Sequence, residues 1–363
     1  MFTSHTYTLG SLISVLFYTL LTFSTPLQAD CLHTTASLEL GSGATKFSVA
    51  HVDKCKKKIL KVLQRNSEPV LFQAALDLSG KQKTIDRATQ QKAIRAIQKF
   101  KAIAAAYRVS NMCGIATAAI RNATNKEEII SNIQKYTGIT ILPVTQSMEA
   151  HLGLLATKQQ LNTLENKKLL IWDIGGGSQQ LVATDKSFPY LSGSMATEAF
   201  KARILSFLSA KGGRGLTSPN PISAENILEC ISLANKHSGF HGQADVRVRH
   251  YMNTHHPLVI GISNVHQAVM QIANPGEKFY TRQHLRDAIE KFSPLTDKEL
   301  LRISPNHPAF ISYEVTNMIM IYALMRKFGI FKVYVKNAMP ADVLLLEPCT
   351  SLQQRLAQTG KTG

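Results

Sequence analysis

Acidic residues are scarce in this chain. Only 24 Asp and Glu stand against 41 Lys and Arg, a formal charge of +17 over 363 residues. Charge of either sign is missing from Met1 to Ala29, so the whole excess belongs to the chain from Asp30 onward. Such a field favours polyanionic partners: polyphosphate, nucleotides, nucleic acid or an anionic membrane face. Aromatic residues do not interleave with the basic ones, so no specific nucleic-acid partner is expected. No C-x-x-C occurs, which argues against a zinc ribbon or a thioredoxin-like site. No G-x-S-x-G occurs, and with it goes the usual serine nucleophile. Neither G-x-G-x-x-G nor G-x-x-x-x-G-K-[ST] is present at the glycine clusters. His237, His241, His250, His255 and His256 crowd one region without the spacing of a helical zinc motif, and read as a solvated basic loop.

Long apolar runs are missing too. Leu9 to Phe23 is apolar apart from Gly, Ser and Thr and is short for a membrane span. Pro26 and then Leu27, Gln28 and Ala29 form a cleavage-like site, so residues 1–29 read as a secretory signal peptide, with an uncleaved anchor as the alternative. The remainder is expected in the periplasm or outside the cell, with no stable membrane span once the leader is cleaved. Five cysteines allow one or two disulfides there and leave at least one thiol over; Cys31–Cys55 is one pairing, and the sequence does not fix it.

What is present begins with Leu169–Ala183, LLIWDIGGGSQQLVA. A short apolar run leads to Asp173, then Gly175, Gly176, Gly177 and Ser178, and Leu181 to Ala183 resume a strand. Glycines there can take positive φ and leave no Cβ in the way, so backbone N–H groups can converge on an anion. Ala36–Val49, ASLELGSGATKFSV, has the same grammar: Glu39 stands before Gly41, Ser42 and Gly43, and Phe47 and Val49 restart a strand. Two such hairpins, far apart in the chain, suggest two related halves with a phosphate chain or nucleotide between them.

Around these segments strands and helices alternate, which argues an α/β class. Residues 37–70 read as strands, with turns at Gly41–Gly43 and at Asn66–Glu68. Ile94, Ile97, Phe100, Ile103 and Tyr107 recur at helical spacing. Asn125 reads as an N-cap, Glu149 as the start of a helix, and Tyr313–Phe328 as an apolar helix stopped by Gly329. The segment Lys211–Leu216 is a flexible basic loop, and the tail 350–363 reads as loose.

These motifs together resemble the exopolyphosphatase/guanosine pentaphosphate phosphohydrolase (Ppx/GppA) family. LELGSGATKF is similar to its D-L-G-S-N-S-F-K, ATAAIRNATN at Ala116–Asn125 to its A-T-S-A-L-R-D-A-x-N, and VTQSMEAHLG at Val144–Gly153 to its I-S-G-x-E-E-A-R-L. IWDIGGGSQQL is similar to its V-I-D-I-G-G-G-S-T-E-L, and GISNV at Gly261–Val265 echoes G-x-S-G-T. The resemblance runs from about Ser37 to Leu346. It implies two actin-like, sugar-kinase-like ATPase domains, here 30–147 and 148–349, with an active cleft between them. It also implies a Mg²⁺-assisted attack of water on a terminal phosphoryl group of polyphosphate or a phosphorylated guanosine nucleotide. A homodimer is left open.

Carried over by position, Glu149 matches the catalytic glutamate, and Asp173, with Glu39, matches the metal-holding carboxylates. Gly41, Ser42, Gly43 and Lys46 match one phosphate loop, Gly175, Gly176, Gly177 and Ser178 the other, and Arg121 the phosphate-contacting arginine. The chain departs from the pattern at Glu39, where the family has Asp, at Gly43, where it has Asn, and at Met148, where it has a second glutamate. At the catalytic position Gln180 the family has Glu, and an amide can hydrogen-bond a water but cannot take its proton. A catalytically silent relative that binds polyphosphate or guanosine nucleotides is therefore the alternative reading.

Overall fold

Both strand–glycine–strand segments head a mixed sheet, and the two sheets are wired alike. The computed structural model describes residues 31–161, 167–185, 190–193, 195–213, 215–240 and 243–359. The leader at 1–29, Arg214 and His241 lie outside them. The first sheet contains β1 (Leu32–Leu40), β2 (Ala44–Asp53), β3 (Lys58–Pro69), β4 (Asn111–Ala116) and β5 (Ile141–Pro143), in the order β3-β2-β1-β4-β5. β1, β2 and β3 form an antiparallel meander, and β4 and β5 add to β1 in parallel. The second sheet contains β6 (Leu169–Ile174), β7 (Gln179–Ala183), β8 (Leu191–Gly193), β9 (Leu258–Ile262), β10 (Phe279–Thr281) and β11 (Lys332–Val335), in the order β10-β11-β9-β6-β7-β8. There too a three-stranded meander is followed by parallel strands β9 and β11, with β10 antiparallel on the edge. The paired hairpins suggest two like halves, and the two sheets together make the two-domain actin-like ATPase fold that the family resemblance implies.

Parallel pairing needs crossovers, and helices supply them. In the first half, α1 (Phe72–Leu78) and α2 (Arg87–Ala106) lie between β3 and β4. Asp86 caps α2 by accepting from the Thr89 N–H. After β4 come α3 (Ala118–Asn122) and α4 (Lys126–Thr137). Asn125 precedes α4 but does not cap it: its amide bonds both backbone groups of Ile85 instead. Helix α5 (Gln146–Gln159) starts earlier than expected, with Thr145 as the cap accepting from Met148 N–H. In the second half, α6 (Thr197–Ala210), α7 (Ala224–His237) and α8 (Gln243–His255) separate β8 from β9. α9 (Asn264–Ala273), α10 (Arg282–Phe292), α11 (Asp297–Ile303) and α12 (Ile311–Phe328) lie around β10 and lead to β11. α12 is buried nearly all round, and Gly329 at φ 73° ends it in a left-handed cap.

Each half has its own core. Phe47, Phe72 and Phe100 anchor the first, while Trp172, Phe200 and Phe328 anchor the second. A third cluster joins them: Ile115 and Leu142 from the first sheet, Leu152 and Leu154 from α5, and Ile171 and Ile260 from the second sheet.

Four expectations need correcting. Asn66, Ser67 and Glu68 lie inside β3, and the second turn of the meander falls at 54–57, where no glycine or proline marks it and Lys57 takes φ 48°. The histidine-rich stretch is mostly helical in its described part: His237 ends α7, and His250 and His255 lie in α8, where Val248, Tyr251 and Met252 are buried at helical spacing. The C-terminal segment returns to the first sheet before 349: a 3₁₀ turn at Pro340–Leu345 packs on β1, where Thr35 Oγ1 donates to the Leu345 carbonyl at 2.7 Å. There Arg65 grips the fully buried Asp342 with two parallel hydrogen bonds, of 3.0 and 2.7 Å. Beyond it the expected loose tail is a helix, α13 (Cys349–Thr359), fixed to β4 by a Cys113–Cys349 disulfide. A second disulfide joins Cys31 to Cys55, and Cys230 is a buried thiol. No described helix is long and apolar enough to cross a membrane.

Candidate active site

The glycine turns close in the same way. Gly41 N–H donates to the Ala44 carbonyl at 3.0 Å, and Gly175 N–H to the Ser178 carbonyl at 2.8 Å. None of the five turn glycines has positive φ, so left-handed backbone is not why they are glycine. Close approach is the reason. A Cβ on Gly176 would stand 2.9 Å from Ser42 Cβ, and one on Gly177 would stand 2.8 Å from Ser42 Oγ and 2.5 Å from Gln73 Oε1. The second turn therefore lies directly on the first.

Three carboxylates gather beside this contact. Glu39 is the last residue but one of β1, Asp173 the last but one of β6, and Glu149 stands in the first turn of α5. All three are buried and line one cavity of about 370 Å³. Gly41, Ser42, Gly43, Lys46, Gly175, Gly176 and Ser178 line it as well. Lys46 Nζ donates to Glu39 Oε1 at 2.7 Å. Burial alone would pull the Lys46 ammonium down, but the Glu39, Asp173 and Glu149 carboxylates hold it above its ordinary value. Burial pushes the Glu149 carboxyl up to about 7, against the pull of Arg121. Asp173 is raised well above the usual carboxylate range, by burial first and then by the charge of Glu149.

Three of the residues picked from the sequence do not line the cavity. Arg121 Nη1 donates to Glu149 Oε2 at 2.9 Å and to the Val144 carbonyl at 2.8 Å, so it braces Glu149 from behind. Gly177 is packed between Ser42, Gln73 and Ala118. Gln180 is fully buried, faces Asp173 across the β6–β7 ladder, and donates to Ser178 Oγ at 2.9 Å. A side chain so placed ties the end of the glycine turn and does not reach the cavity wall.

The far wall went unread in the sequence. It is built by α9, α12 and the segment before α12, and carries Asn264, Gln267, Asn306, Tyr313, Glu314 and Asn317. Glu198 joins them at the start of α6, where its N–H donates to the Gly176 carbonyl and its carboxylate accepts from Tyr313 Oη at 2.9 Å. One signal was available: the GISNV echo holds Ser263, whose Oγ donates to the Ile174 carbonyl at 2.8 Å and whose φ is 97°. The charge of the wall is also unexpected. Glu39, Glu149, Asp173, Glu198 and Glu314 line the cavity with Lys46 as the only Lys or Arg among the described lining residues, so the excess positive charge of the chain lies elsewhere.

The fit to a divalent cation is tested by this donor set. Burial, and after it the charge of neighbouring carboxylates, holds Glu149 and Asp173 above their normal range, and three carboxyls, Glu39, Glu149 and Asp173, stand against the two cations Lys46 and Arg121. Hard oxygen donors in such surplus suit Mg²⁺. The cluster Cys31, Asp53 and Cys55 also meets ligand spacing, but both of its thiols are consumed in the disulfide.

Comparison with known proteins agrees with the architecture. Residues 48–206 match the model of the Ppx/GppA phosphatase family. Over that stretch, somewhat under half of its length, the chain is similar to that family. The match takes in Arg121, Glu149, Asp173 and the second glycine turn but begins after the first one. Exopolyphosphatase 1 of Mycobacterium tuberculosis is 32% identical over 107 residues, 30% of this chain and 30% of that protein. A bifunctional 3-dehydroquinate synthase/phosphatase of Fusobacterium nucleatum is 23% identical over 147 residues, 40% of this chain and 22% of that one. The chain thus matches less than a third of the length of these relatives. Solved structures extend the likeness in fold. An exopolyphosphatase of Cytophaga hutchinsonii superposes with a TM-score of 0.65 at 17% identity, over 86% of this chain and 96% of that one. The Aquifex aeolicus PPX-GPPA enzyme gives 0.63 at 14% identity, over 87% and 99%.

Proposed function

We propose that the chain is an exported phosphohydrolase that releases a terminal phosphate from polyphosphate or a related phosphoanhydride such as guanosine pentaphosphate. One observation carries this reading: Glu149, buried and held by Arg121, shares a cavity with two touching glycine turns and with Asp173 and Glu39. Backbone N–H groups of the turns and the Lys46 ammonium take the phosphate oxygens. Glu149 receives the proton of the attacking water, and Arg121 fixes which oxygen does so. A carboxyl that titrates near neutrality is suited to that transfer. Asp173 and Glu39 would hold Mg²⁺, which when bound neutralises charge on the transferred phosphoryl group. Two disulfides fit an extracytoplasmic setting.

The test is phosphate release from long polyphosphate and from guanosine pentaphosphate with Mg²⁺, by wild type and Glu149→Gln. Release by the wild type alone is expected; equal rates, or none, remove the enzyme reading. The second reading, a silent relative that captures the same ligands, is favoured by Gln180, which leaves Asp173 without a carboxylate partner across the ladder. Tight binding by the wild type with no turnover would select it.

A further inference from the structure

The lysines left out of the cavity are not spread evenly. The turn between β2 and β3, with the start of β3, reads Lys54, Cys55, Lys56, Lys57, Lys58, Ile59, Leu60, Lys61. Lys56, Lys57, Lys58 and Lys61 are exposed. Asp53, the acidic residue of this end, is buried and accepts the Lys56 N–H at 2.9 Å; its nearest ammonium, Lys56 Nζ, is 3.9 Å away. Lys57, Lys58 and Lys61 have no ion pair among the described residues. Two leucines sit beside them in water: Leu32 is 57% exposed and Leu60 is 50% exposed. Lysines that only guarded an open sheet edge would not need exposed leucines among them.

The position of this end is fixed by covalent chemistry. Cys55, between Lys54 and Lys56, is disulfide-bonded to Cys31, and Lys54 N–H donates to the Cys31 carbonyl at 2.8 Å. Only Asp30 separates Cys31 from the leader sequence 1–29, so the lysines are tied close to the point where the chain leaves that segment. The cleft lies at the other end of the same strands. β1 pairs Leu32 with Asp53 at the lysine end and Leu40 with Thr45 at the glycine turn, eight residue steps, or about 27 Å, apart.

We propose that the Lys54–Lys61 end of the first sheet is a docking surface for an anionic lipid bilayer. The lysines meet the headgroups, Leu32 and Leu60 enter the interface, and the cavity opens away from the membrane. Charge and apolar side chains act together here, which fits lipid and not a soluble polyanion: a phosphate chain has no use for two exposed leucines. The proposal does not depend on what the cavity hydrolyses.

The experiment is flotation of the full chain with vesicles of phosphatidylcholine alone and of phosphatidylcholine mixed with phosphatidylglycerol, at low and raised salt. Binding to neutral vesicles reports the leader, and the difference between the two reports the lysines. Anionic vesicles are expected to bind more than tenfold better, with the excess lost in salt. A variant carrying Lys56→Gln, Lys57→Asn, Lys58→Gln and Lys61→Gln should lose about fivefold for each lysine that reaches the headgroups, with phosphate release unchanged. Leu32→Ser with Leu60→Ser should weaken binding and leave its salt dependence intact. Equal binding to both vesicle types overturns the proposal. So does a four-lysine variant that floats like the wild type, or one that loses affinity for soluble polyphosphate while its vesicle binding stays the same.

Discussion

In the first half Glu39 faces Lys46 across the β1–β2 ladder, and the two form an ion pair of 2.7 Å. In the second half Asp173 faces Gln180 at the equivalent place across β6–β7, and Gln180 turns to Ser178 Oγ instead. The same hairpin thus carries a carboxylate closed on a cation in one half and a carboxylate left open in the other. Glu149 arrives from α5 between them and finds its cation, Arg121, outside both hairpins. The difference gives the halves separate tasks in the proposed chemistry: Glu39 commits one oxygen to Lys46 at the phosphate end and leaves the other for a metal, while Asp173, with no cation across its ladder, gives the metal its charge and Glu149 takes the proton.

Removing Glu149 breaks the comparison most completely, because it is the carboxyl that both hairpins share. Glu149→Gln should lower phosphate release by roughly 10²–10⁴-fold, the usual loss when a general base is removed. The measurement is turnover with Mg²⁺ at saturating substrate. In the wild type, release should rise as pH passes through about 7 and the carboxyl ionises.

Stability should move the other way. The Glu149 carboxyl is raised to about 7 in the fold, from an ordinary value of 4.5. Between those values the unfolded chain has lost the proton that the folded chain keeps, so stability falls as pH rises across this window and levels off above it. Glu149→Gln removes that loss and should be more stable than wild type above pH 7, by an amount on the order of a few kcal/mol in metal-free buffer. Denaturant midpoints across this range, with Mg²⁺ absent, read it directly. A variant less stable than wild type at every pH would show that Arg121 gains more from the charge than burial costs.

The glycines sharpen the comparison on the steric side. A Cβ on Gly176 would meet Ser42 Cβ at 2.9 Å, whereas one on Gly43 would meet only Phe310 Cε1, at 3.7 Å. Gly176→Ala should cost about 1–3 kcal/mol by forcing the turns apart, with turnover falling alongside. Gly43→Ala should stay within about 0.5 kcal/mol of wild type. Thermal melts of the two variants, run together, test whether the turns touch in solution.

Much of this plan was legible because hairpin grammar is local. Strand, acid, glycine and strand stand within one short stretch, and finding it twice was enough to expect two like halves. Positions set by distant contacts were not legible. The turn at 54–57 has no glycine or proline, because a disulfide and the Lys54–Cys31 backbone bond hold it. α8 hides its apolar stripe among Arg and His. The far wall of the cavity comes from α9 and α12, whose polar residues look like ordinary helix surface until the second sheet turns them inward. The charge of the chain misled most: a sum over the whole sequence says nothing of which end of a sheet carries it.

The smallest expected effect is the most direct test of the asymmetry. Gln180→Lys gives the second hairpin the pairing that the first one has, an ammonium across the ladder from its carboxylate. If reach and burial are alike in the two halves, the new lysine should bond Asp173 as Lys46 bonds Glu39. The Asp173 carboxyl, now raised well above its usual range, should fall, and its demand for an external cation should fall with it. Half-saturation by Mg²⁺ should then need about tenfold more metal, a change of about 1.4 kcal/mol. The reverse change, Gln180→Glu, adds negative charge beside Asp173, so it should lower stability in metal-free buffer and recover it with Mg²⁺. Metal titrations followed by melting temperature separate these outcomes without relying on turnover. Two variants with the metal dependence of wild type would mean that Gln180 serves the Ser178 hydroxyl alone, and that the open carboxylate of the second half is set by burial and not by what faces it.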